Sequence, residues 1–284
     1  MKNYESYLNK IYNILEEIPF NDLAEKSGKK LFSTGDLIFN LNGNSVEFNQ
    51  YSNYNNGESV KTIDWKQYAK TEKLYTKKYH SESNSKKIFI IDNTNSMNFK
   101  NKNEYAILLF GITAHILFSL KADVSVALNG DFSGFKKNTD DFISLLEFYF
   151  NQKEFEPVRT LNLLNEIKET QNSTVILISD FMFETDKLLK KVIQMKEFNY
   201  DFHFIQLLSD EELNLDYKGI VKFRDMETDE TLITEPLSIK KIYQEELFNH
   251  NQKISNTLIE NSMNYSFLNT SIGIKDNILK LFGG

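Results

Sequence analysis

The sequence contains no cysteine and almost no arginine, and each absence excludes a class of protein. Without cysteine, the chain of 284 residues can form no disulfide, no thiolate metal site and no cysteine nucleophile. Arginine occurs only at Arg159 and Arg224, so bidentate recognition of phosphates or bases by guanidinium groups is nearly unavailable. The net charge of -7 also argues against a nucleic-acid binder.

Long hydrophobic runs are missing as well. The longest apolar stretch is Ala106–Leu120, which as a helix spans roughly 22 Å and is shorter than the ~30 Å hydrocarbon core of a membrane. Residues 1–20 mix Lys2, Lys10 and Glu16 with apolar positions, unlike a secretory signal. The sequence therefore predicts a soluble, cytoplasmic protein with no integral membrane segment.

Apolar, strand-like runs alternate with helical patterns from residue 86 onwards. The predicted strands of this region include Lys87–Ile91, Val124–Leu128, Thr174–Ile178, Phe202–Leu208 and Tyr265–Leu268. The longest helices are predicted over about 104–121 and 238–261. Apolar strands alternating with helices indicate a parallel sheet covered on both faces. The predicted fold class is α/β, with a doubly wound, mostly parallel sheet.

Polar side chains follow two of these strands. One run is followed by Asp92, with hydroxyls two and four residues later at Thr94 and Ser96, and another is followed by Asp180. Thr160 stands at the start of a further predicted helix. In such sheets, ligands bind beyond the carboxyl ends of the strands. Hard oxygen donors from separate loops suit Mg²⁺, with Mn²⁺ as an alternative.

A simpler interpretation applies to the same residues. Aspartate, serine and threonine at a strand–helix junction are common helix caps, each contributing about 1 kcal/mol. For Asp92, Asp180 or Thr160 taken alone, capping explains the residue as well as metal binding does. The joint pattern, D-x-T-x-S after one strand and S-D after another, favours a metal site.

These motifs carry a family resemblance. The D-x-T-x-S spacing resembles the metal-ion-dependent adhesion site of von Willebrand factor A domains, with Thr94 where serine is commoner. The segments Tyr54–Glu58, Ile63–Trp65, Ile178–Phe181 and Phe223–Thr228 resemble those of the bacterial domain-of-unknown-function family 58. The likeness extends over about residues 30–280.

The resemblance implies a Rossmann-like, von Willebrand A-type domain over residues 86–284. It also implies an N-terminal α+β extension over residues 1–85 that carries the I-D-W signature. Relatives of this kind are often paired with a MoxR-type AAA+ ATPase and are thought to assist assembly or metal insertion. We therefore expect a protein-binding adaptor and not an enzyme.

The expected Mg²⁺ site has five protein residues and a ligand from outside. Its expected members, some acting through bound water, are Asp92, Thr94, Ser96, Thr160 and Asp180. An acidic residue of a protein partner, either the ATPase or its client, would complete the coordination shell. Neutral hydroxyl ligands suit this role because they leave the ion electrophilic.

Two other functions remain open at this point. One is a metal-dependent phosphatase or nuclease that uses Asp92 and Asp180, although Thr94 stands where a haloacid-dehalogenase-type phosphatase has a second aspartate. The other is a metal-free scaffold whose site is vestigial. The motifs H-E-x-x-H, G-x-S-x-G and G-x-x-x-x-G-K-[ST] do not occur in the sequence, so zinc proteases, α/β-hydrolases and P-loop enzymes have no support.

Overall fold

The structure is a computed structural model, and its described residues form two compact units. The described residues are 4–19, 48–53, 68, 71, 75–79, 85–128, 131–151, 170, 172–183 and 185–283. Of these, residues 4–19 and all those from 85 onwards belong to one unit, and residues 48–53 and 75–79 belong to the other. The I-D-W signature lies outside the described residues, and the predicted domain boundary between residues 85 and 86 stays a prediction.

The smaller unit contains a two-stranded antiparallel sheet, and the larger unit contains all the other strands described. The strands are β1 (Phe48–Asn53), β2 (Tyr75–Tyr79), β3 (Lys86–Ile91), β4 (Asp123–Leu128), β5 (Asp131–Phe132), β6 (Ser173–Ser179), β7 (Asp201–Leu208), β8 (Val221–Arg224), β9 (Thr231–Thr234) and β10 (Asn264–Asn269). Strands β8 and β9 form a separate antiparallel hairpin. The central six-stranded sheet has the order β10-β7-β6-β3-β4-β5. Its neighbours pair in parallel, apart from the edge strand β5.

Helices cover both faces of the central sheet. The helices are α1 (Tyr4–Glu17), α2 (Lys102–Ser119), α3 (Phe142–Asn151), α4 (Asp186–Lys196), α5 (Asp210–Asn214), α6 (Pro236–Glu260) and α7 (Ile274–Gly283). On one face, Ile88 and Ile90 of β3 share a core with residues of α4 and α6. On the other face, the ring of Phe89 packs at 5.0 Å from that of Phe110 in α2. This arrangement confirms the predicted doubly wound α/β architecture.

The most buried strands read as continuous apolar runs because both of their faces are covered. In β3, residues Ile88 to Ile91 are all fully buried. Helix α2 is apolar around its whole circumference for a similar reason, since α1, α3 and α7 pack on it from outside the sheet. No helix in the part of the chain that the structure describes is both long and apolar enough to cross a membrane.

Helix α1 lies against α2 at a glycine. A Cβ atom added at Gly111 would stand 2.3 Å from Cδ1 of Ile11, which is itself fully buried. A glycine inside a helix is less favourable than alanine by roughly 1 kcal/mol. The close approach of Ile11 accounts for the glycine, because the side chain of any larger residue would force the buried Ile11 side chain to shift.

We predict that changes at these two positions are not additive. Gly111→Ala should destabilise the protein because the new methyl group meets Ile11 Cδ1. Ile11→Val removes that atom and should lower the free energy of unfolding by about 0.5–1.5 kcal/mol. In the double variant the methyl group no longer meets Ile11 Cδ1. The free energy of unfolding of the double variant should therefore fall by less than the sum of the two single decreases.

Urea denaturation of the three variants measures this coupling. Ile278→Val, at a fully buried position of α7, serves as the matched control and should add to Gly111→Ala without coupling. If the decreases in unfolding free energy of Gly111→Ala and Ile11→Val simply add in the double variant, the close contact is contradicted.

Candidate functional site

The carboxyl ends of β3 and β6 lie side by side at one edge of the central sheet. The strands pair in parallel, with Ile91 opposite Ile178. The backbone N–H of Asp92 continues this ladder by donating to the carbonyl of Ile178 at 2.8 Å. The hydroxyl of Ser179 in turn donates to the carboxylate of Asp92. The register of two strands thus brings Asp92 to the Ser179-Asp180 pair.

The carboxylate of Asp92 is buried and hydrogen-bonded at both oxygens. Oδ1 accepts from the backbone N–H of Thr94 at 3.0 Å, and Oδ2 accepts from Ser179. Burial raises the pKa of Asp92 above its ordinary value, and the charge of Asp180 raises it further, while hydrogen bonds from Ser179 and from the backbone and side chain of Thr94 act in the opposite direction. A cation placed beside this carboxylate would favour its ionised form.

The hydroxyl groups of the D-x-T-x-S motif are neighbours. Oγ1 of Thr94 and Oγ of Ser96 lie 3.0 Å apart, within hydrogen-bond distance. The loop turns directly into a 3₁₀ segment, Asn95–Asn101, in which Met97 N–H donates to the carbonyl of Thr94 at 3.1 Å. This turn gathers Asp92, Thr94 and Ser96 into one group, which we call the oxygen cluster.

Asp180 has a cationic partner inside the protein. The ammonium group of Lys102, at the start of α2, lies 2.7 Å from Oδ2 of Asp180, and both side chains are fully buried. The same ammonium group contacts Oε1 of Glu212. Oε2 of Glu212 also accepts from the backbone N–H of Ser209 at 2.8 Å and so caps α5. We call Lys102, Asp180 and Glu212 the Lys102 ion cluster.

The chain after β6 makes a tight turn at Phe181. This residue is buried and has a φ of 54°, in the left-handed region that is unfavourable by roughly 1–2 kcal/mol for residues other than glycine. Its N–H donates to the Ser179 hydroxyl at 2.9 Å, and its carbonyl lies 2.7 Å from Nε2 of His250. Its ring packs at 5.3 Å from that of Phe204. These contacts hold the turn in place and fix the position of Asp180.

The turn of the β8–β9 hairpin contacts the oxygen cluster, although the two are far apart in sequence. The backbone N–H of Ser96 donates to Oε1 of Glu227, in the turn of the hairpin, at 2.9 Å. A second acidic side chain therefore bonds to the loop that carries the hydroxyl groups of the cluster.

The structure brings four of the five predicted site residues to one sheet edge. Asp92, Thr94 and Ser96 form the oxygen cluster, and Asp180 lies close by but is bonded to Lys102. Thr160 lies outside the described residues. Assigning these residues as metal ligands stays a prediction.

Three residues of this region were not predicted, namely Lys102, Glu212 and Glu227. For Glu212 a signal was available, because a serine followed three residues later by glutamate is a helix-capping pattern. No pattern in the sequence points to Lys102, since a lysine at the start of a helix is normally exposed.

The residues present fit Mg²⁺ at the oxygen cluster. One carboxylate and two hydroxyl groups are the hard oxygen donors that this ion accepts, and it keeps water in its remaining positions. Within the described ranges, no three histidine or acidic side chains are grouped so that they could hold a metal, so a cation here would depend on hydroxyl groups and water. Asp180 fits less well, because the ammonium group of Lys102 competes with any cation for its charge.

The sequence profile of one protein family matches residues 50–253. That family is described as protein of unknown function DUF58, and since the match covers most of the chain, the protein belongs to it. This confirms the predicted family, whose description assigns no function. No curated protein matches the chain significantly.

Several solved structures resemble the chain at low sequence identity. BatB from Bacteroides thetaiotaomicron, a conserved hypothetical protein, is 13% identical over 69% of this chain and 96% of its own, with a TM-score of 0.41. An aerotolerance-related membrane protein from Bacteroides fragilis is 12% identical over 70% and 98%, with a TM-score of 0.42. A von Willebrand factor type A structure from Catenulispora acidiphila is 14% identical over 62% and 43%, with a TM-score of 0.34. With TM-scores below 0.5, these likenesses carry no weight for what the chain binds.

We predict that Lys102→Met strongly destabilises the protein. Methionine keeps most of the side chain's length but leaves the carboxylates of Asp180 and Glu212 without their cation. Removing one partner of a buried ion pair typically lowers the free energy of unfolding by about 3–5 kcal/mol. Urea denaturation measures the loss, and adding Asp180→Asn should restore part of it.

Lys190→Met is the matched control for this change, because Lys190 lies on the exposed side of α4. It should change the free energy of unfolding by less than about 0.5 kcal/mol. A comparably small effect of Lys102→Met would mean that the Lys102 ion cluster contributes nothing measurable to stability.

Proposed function

We propose that this protein is a Mg²⁺-dependent protein-binding module. The observation that carries the proposal is the oxygen cluster, in which Thr94 Oγ1 and Ser96 Oγ lie 3.0 Å apart beside the buried carboxylate of Asp92. The cluster stands at the carboxyl edge of a doubly wound sheet, where such folds bind their ligands. Bound Mg²⁺ would supply an electrophilic centre that accepts a carboxylate oxygen from a partner.

Each residue of the oxygen cluster has a distinct part in this proposal. Asp92 supplies the negative charge, and the hydrogen bond from Ser179 fixes the orientation of its carboxylate. Thr94 and Ser96 supply neutral oxygens, which leave the positive charge of a cation available to a further ligand. Thr160 and Asp180 are proposed as additional ligands, with Asp180 acting through water while Lys102 holds its carboxylate.

The proposed partner is a protein that presents an acidic residue. From the family resemblance, we propose a MoxR-type AAA+ ATPase or its client, with this chain as the adaptor in assembly or maturation of a complex. The charge of the proposed site supports only the prediction that the partner presents an acidic residue, because a cation held by one carboxylate and two hydroxyl groups keeps a net positive charge. The identity of the ATPase rests on the resemblance.

Binding of Mg²⁺ by the isolated protein tests the site. Isothermal titration calorimetry should show one Mg²⁺ per chain in the wild type and none in Asp92→Ala, because the only carboxylate of the oxygen cluster is gone. Thr94→Val, which keeps the shape but removes the hydroxyl, should weaken binding roughly tenfold or more. Thr139→Val, outside this loop, is the matched control and should bind as the wild type does.

A pull-down from native lysate then tests the function. A partner retained by the wild type in Mg²⁺, but lost in EDTA and lost with Asp92→Ala, is the expected result. Equal retention under all three conditions would contradict the metal-dependent mechanism and indicate a metal-free scaffold. Circular dichroism of Asp92→Ala controls for loss of fold.

Turnover of a generic phosphomonoester or phosphodiester, abolished by Asp92→Ala, would point to the enzymatic alternative that uses Asp92 and Asp180. Within the described residues, the contacts of these two carboxylates favour binding over turnover. Asp92 is held by Ser179 and Thr94, and Asp180 is neutralised by Lys102.

A further inference from the structure

A glutamate of this chain already stands at the oxygen cluster. Oε1 of Glu227 accepts a hydrogen bond from the backbone N–H of Ser96 at 2.9 Å, across 131 positions of sequence. The hydroxyl of the same serine lies 3.0 Å from that of Thr94. The carboxylate thus bonds to the backbone of Ser96, whose hydroxyl we propose as a cation ligand.

The turn that carries Glu227 is held in a defined shape. Oδ1 of Asp225 accepts from the backbone N–H groups of Glu227 at 2.8 Å and Thr228 at 2.7 Å. These donors hold the pKa of Asp225 below its ordinary value. Arg224 pairs with Asp229 at 2.7 Å across the base of the turn. A turn of this kind presents the Glu227 side chain at low entropic cost.

The β8–β9 hairpin behind this turn makes few contacts with the rest of the described protein. Leu232 and Ile233 of β9 are 56% and 65% exposed, and a cavity of about 590 Å³ lies between the hairpin, α5 and α6. Among the described residues, one hydrogen bond joins the hairpin as a whole, residues 221–234, to the rest of the protein, and it is the bond between Glu227 and Ser96. The hairpin can therefore move away without opening the core of the sheet.

The charges around Glu227 favour cation binding by its carboxylate. Asp92 and Glu227 are both acidic, and both accept a hydrogen bond from a backbone N–H of the same short loop, so both would attract a cation placed at that loop. The ammonium group of Lys102 is already engaged by Asp180 and Glu212. A carboxylate has two oxygens, and each accepts more than one bond, so Glu227 can hold Ser96 N–H and a cation together.

We propose that Glu227 is an in-chain ligand of the metal site and occupies the position that a partner's carboxylate needs. The inference rests on the proposed function. A partner gains the site by replacing Glu227 and displacing the β8–β9 hairpin. The hairpin thereby sets the specificity of the site, because a partner must bind better than a carboxylate that is already tethered beside it.

Manganese binding tests this proposal, with Mn²⁺ used in place of Mg²⁺. The relaxation rate of water protons reports how many water molecules remain on bound Mn²⁺, and a titration gives the dissociation constant. Glu227→Gln keeps the shape and can still accept from Ser96, but it loses the charge. We expect its Mn²⁺ affinity to fall roughly tenfold or more and its relaxation rate to rise, since water takes the position of the lost ligand.

Glu230→Gln is the matched control. It removes the same charge from the same hairpin, at a residue whose side chain makes no described contact with the oxygen cluster, and it should behave as the wild type. Acetate serves as a probe for a partner's carboxylate. At millimolar concentration it should lower the relaxation rate of the Glu227→Gln complex by displacing water, and leave that of the wild type unchanged.

The outcomes separate this inference from the proposed function. Loss of Mn²⁺ binding in Asp92→Ala, together with identical affinity and relaxation in Glu227→Gln and Glu230→Gln, would overturn the role of Glu227 and leave the metal site standing. Equal Mn²⁺ binding by the wild type and Asp92→Ala would overturn the metal site and the inference with it. If acetate lowers the relaxation rate of the wild type and of Glu227→Gln equally, the proposed competition between Glu227 and a partner's carboxylate is overturned.

Discussion

Parallel pairing of β3 with β6 is the interaction on which the candidate site depends. It sets Ile91 opposite Ile178, and from that register the side chains of Asp92 and Ser179 meet at the carboxyl ends of the two strands. A slip of one residue would reverse every side chain of a strand across the sheet. Such a slip is costly here because both strands are buried on both faces, so the sheet core specifies the geometry of its polar edge.

Two charge systems with different requirements share this edge. The Lys102 ion cluster is balanced inside the protein, since an ammonium group lies against Asp180 and Glu212. The oxygen cluster has no cation among its described contacts, and burial raises the pKa of Asp92. Because the first system is satisfied by the chain itself, the gain or loss of a metal ion that we propose for the second would leave the edge folded.

Local patterns predicted the sheet and the oxygen cluster, but they missed the residues that surround them. The buried strands are readable because apolar runs of that length are diagnostic, and Asp92, Thr94 and Ser96 are only two and four residues apart. Lys102 and Glu227 act through contacts 78 and 131 residues away, which no local period encodes. The β8–β9 hairpin escaped prediction because each of its strands has only four residues, too few for a period to stand out even where apolar and polar residues alternate, as in β8. Thr160 and the I-D-W signature lie outside the described residues.

The Lys102 ion cluster also bears on how the protein is made. Its lysine bonds to residues 78 and 110 positions further along the chain, so the three members meet only after two long loops have closed. A growing chain emerges from the ribosome amino end first, and Lys102 and Asp180 therefore appear well before Glu212. Until that glutamate arrives, the cluster lacks one of its three members and α5 cannot be capped. The edge that carries the candidate site is consequently completed late in synthesis, and an incomplete chain displays the D-x-T-x-S loop without its finished surroundings.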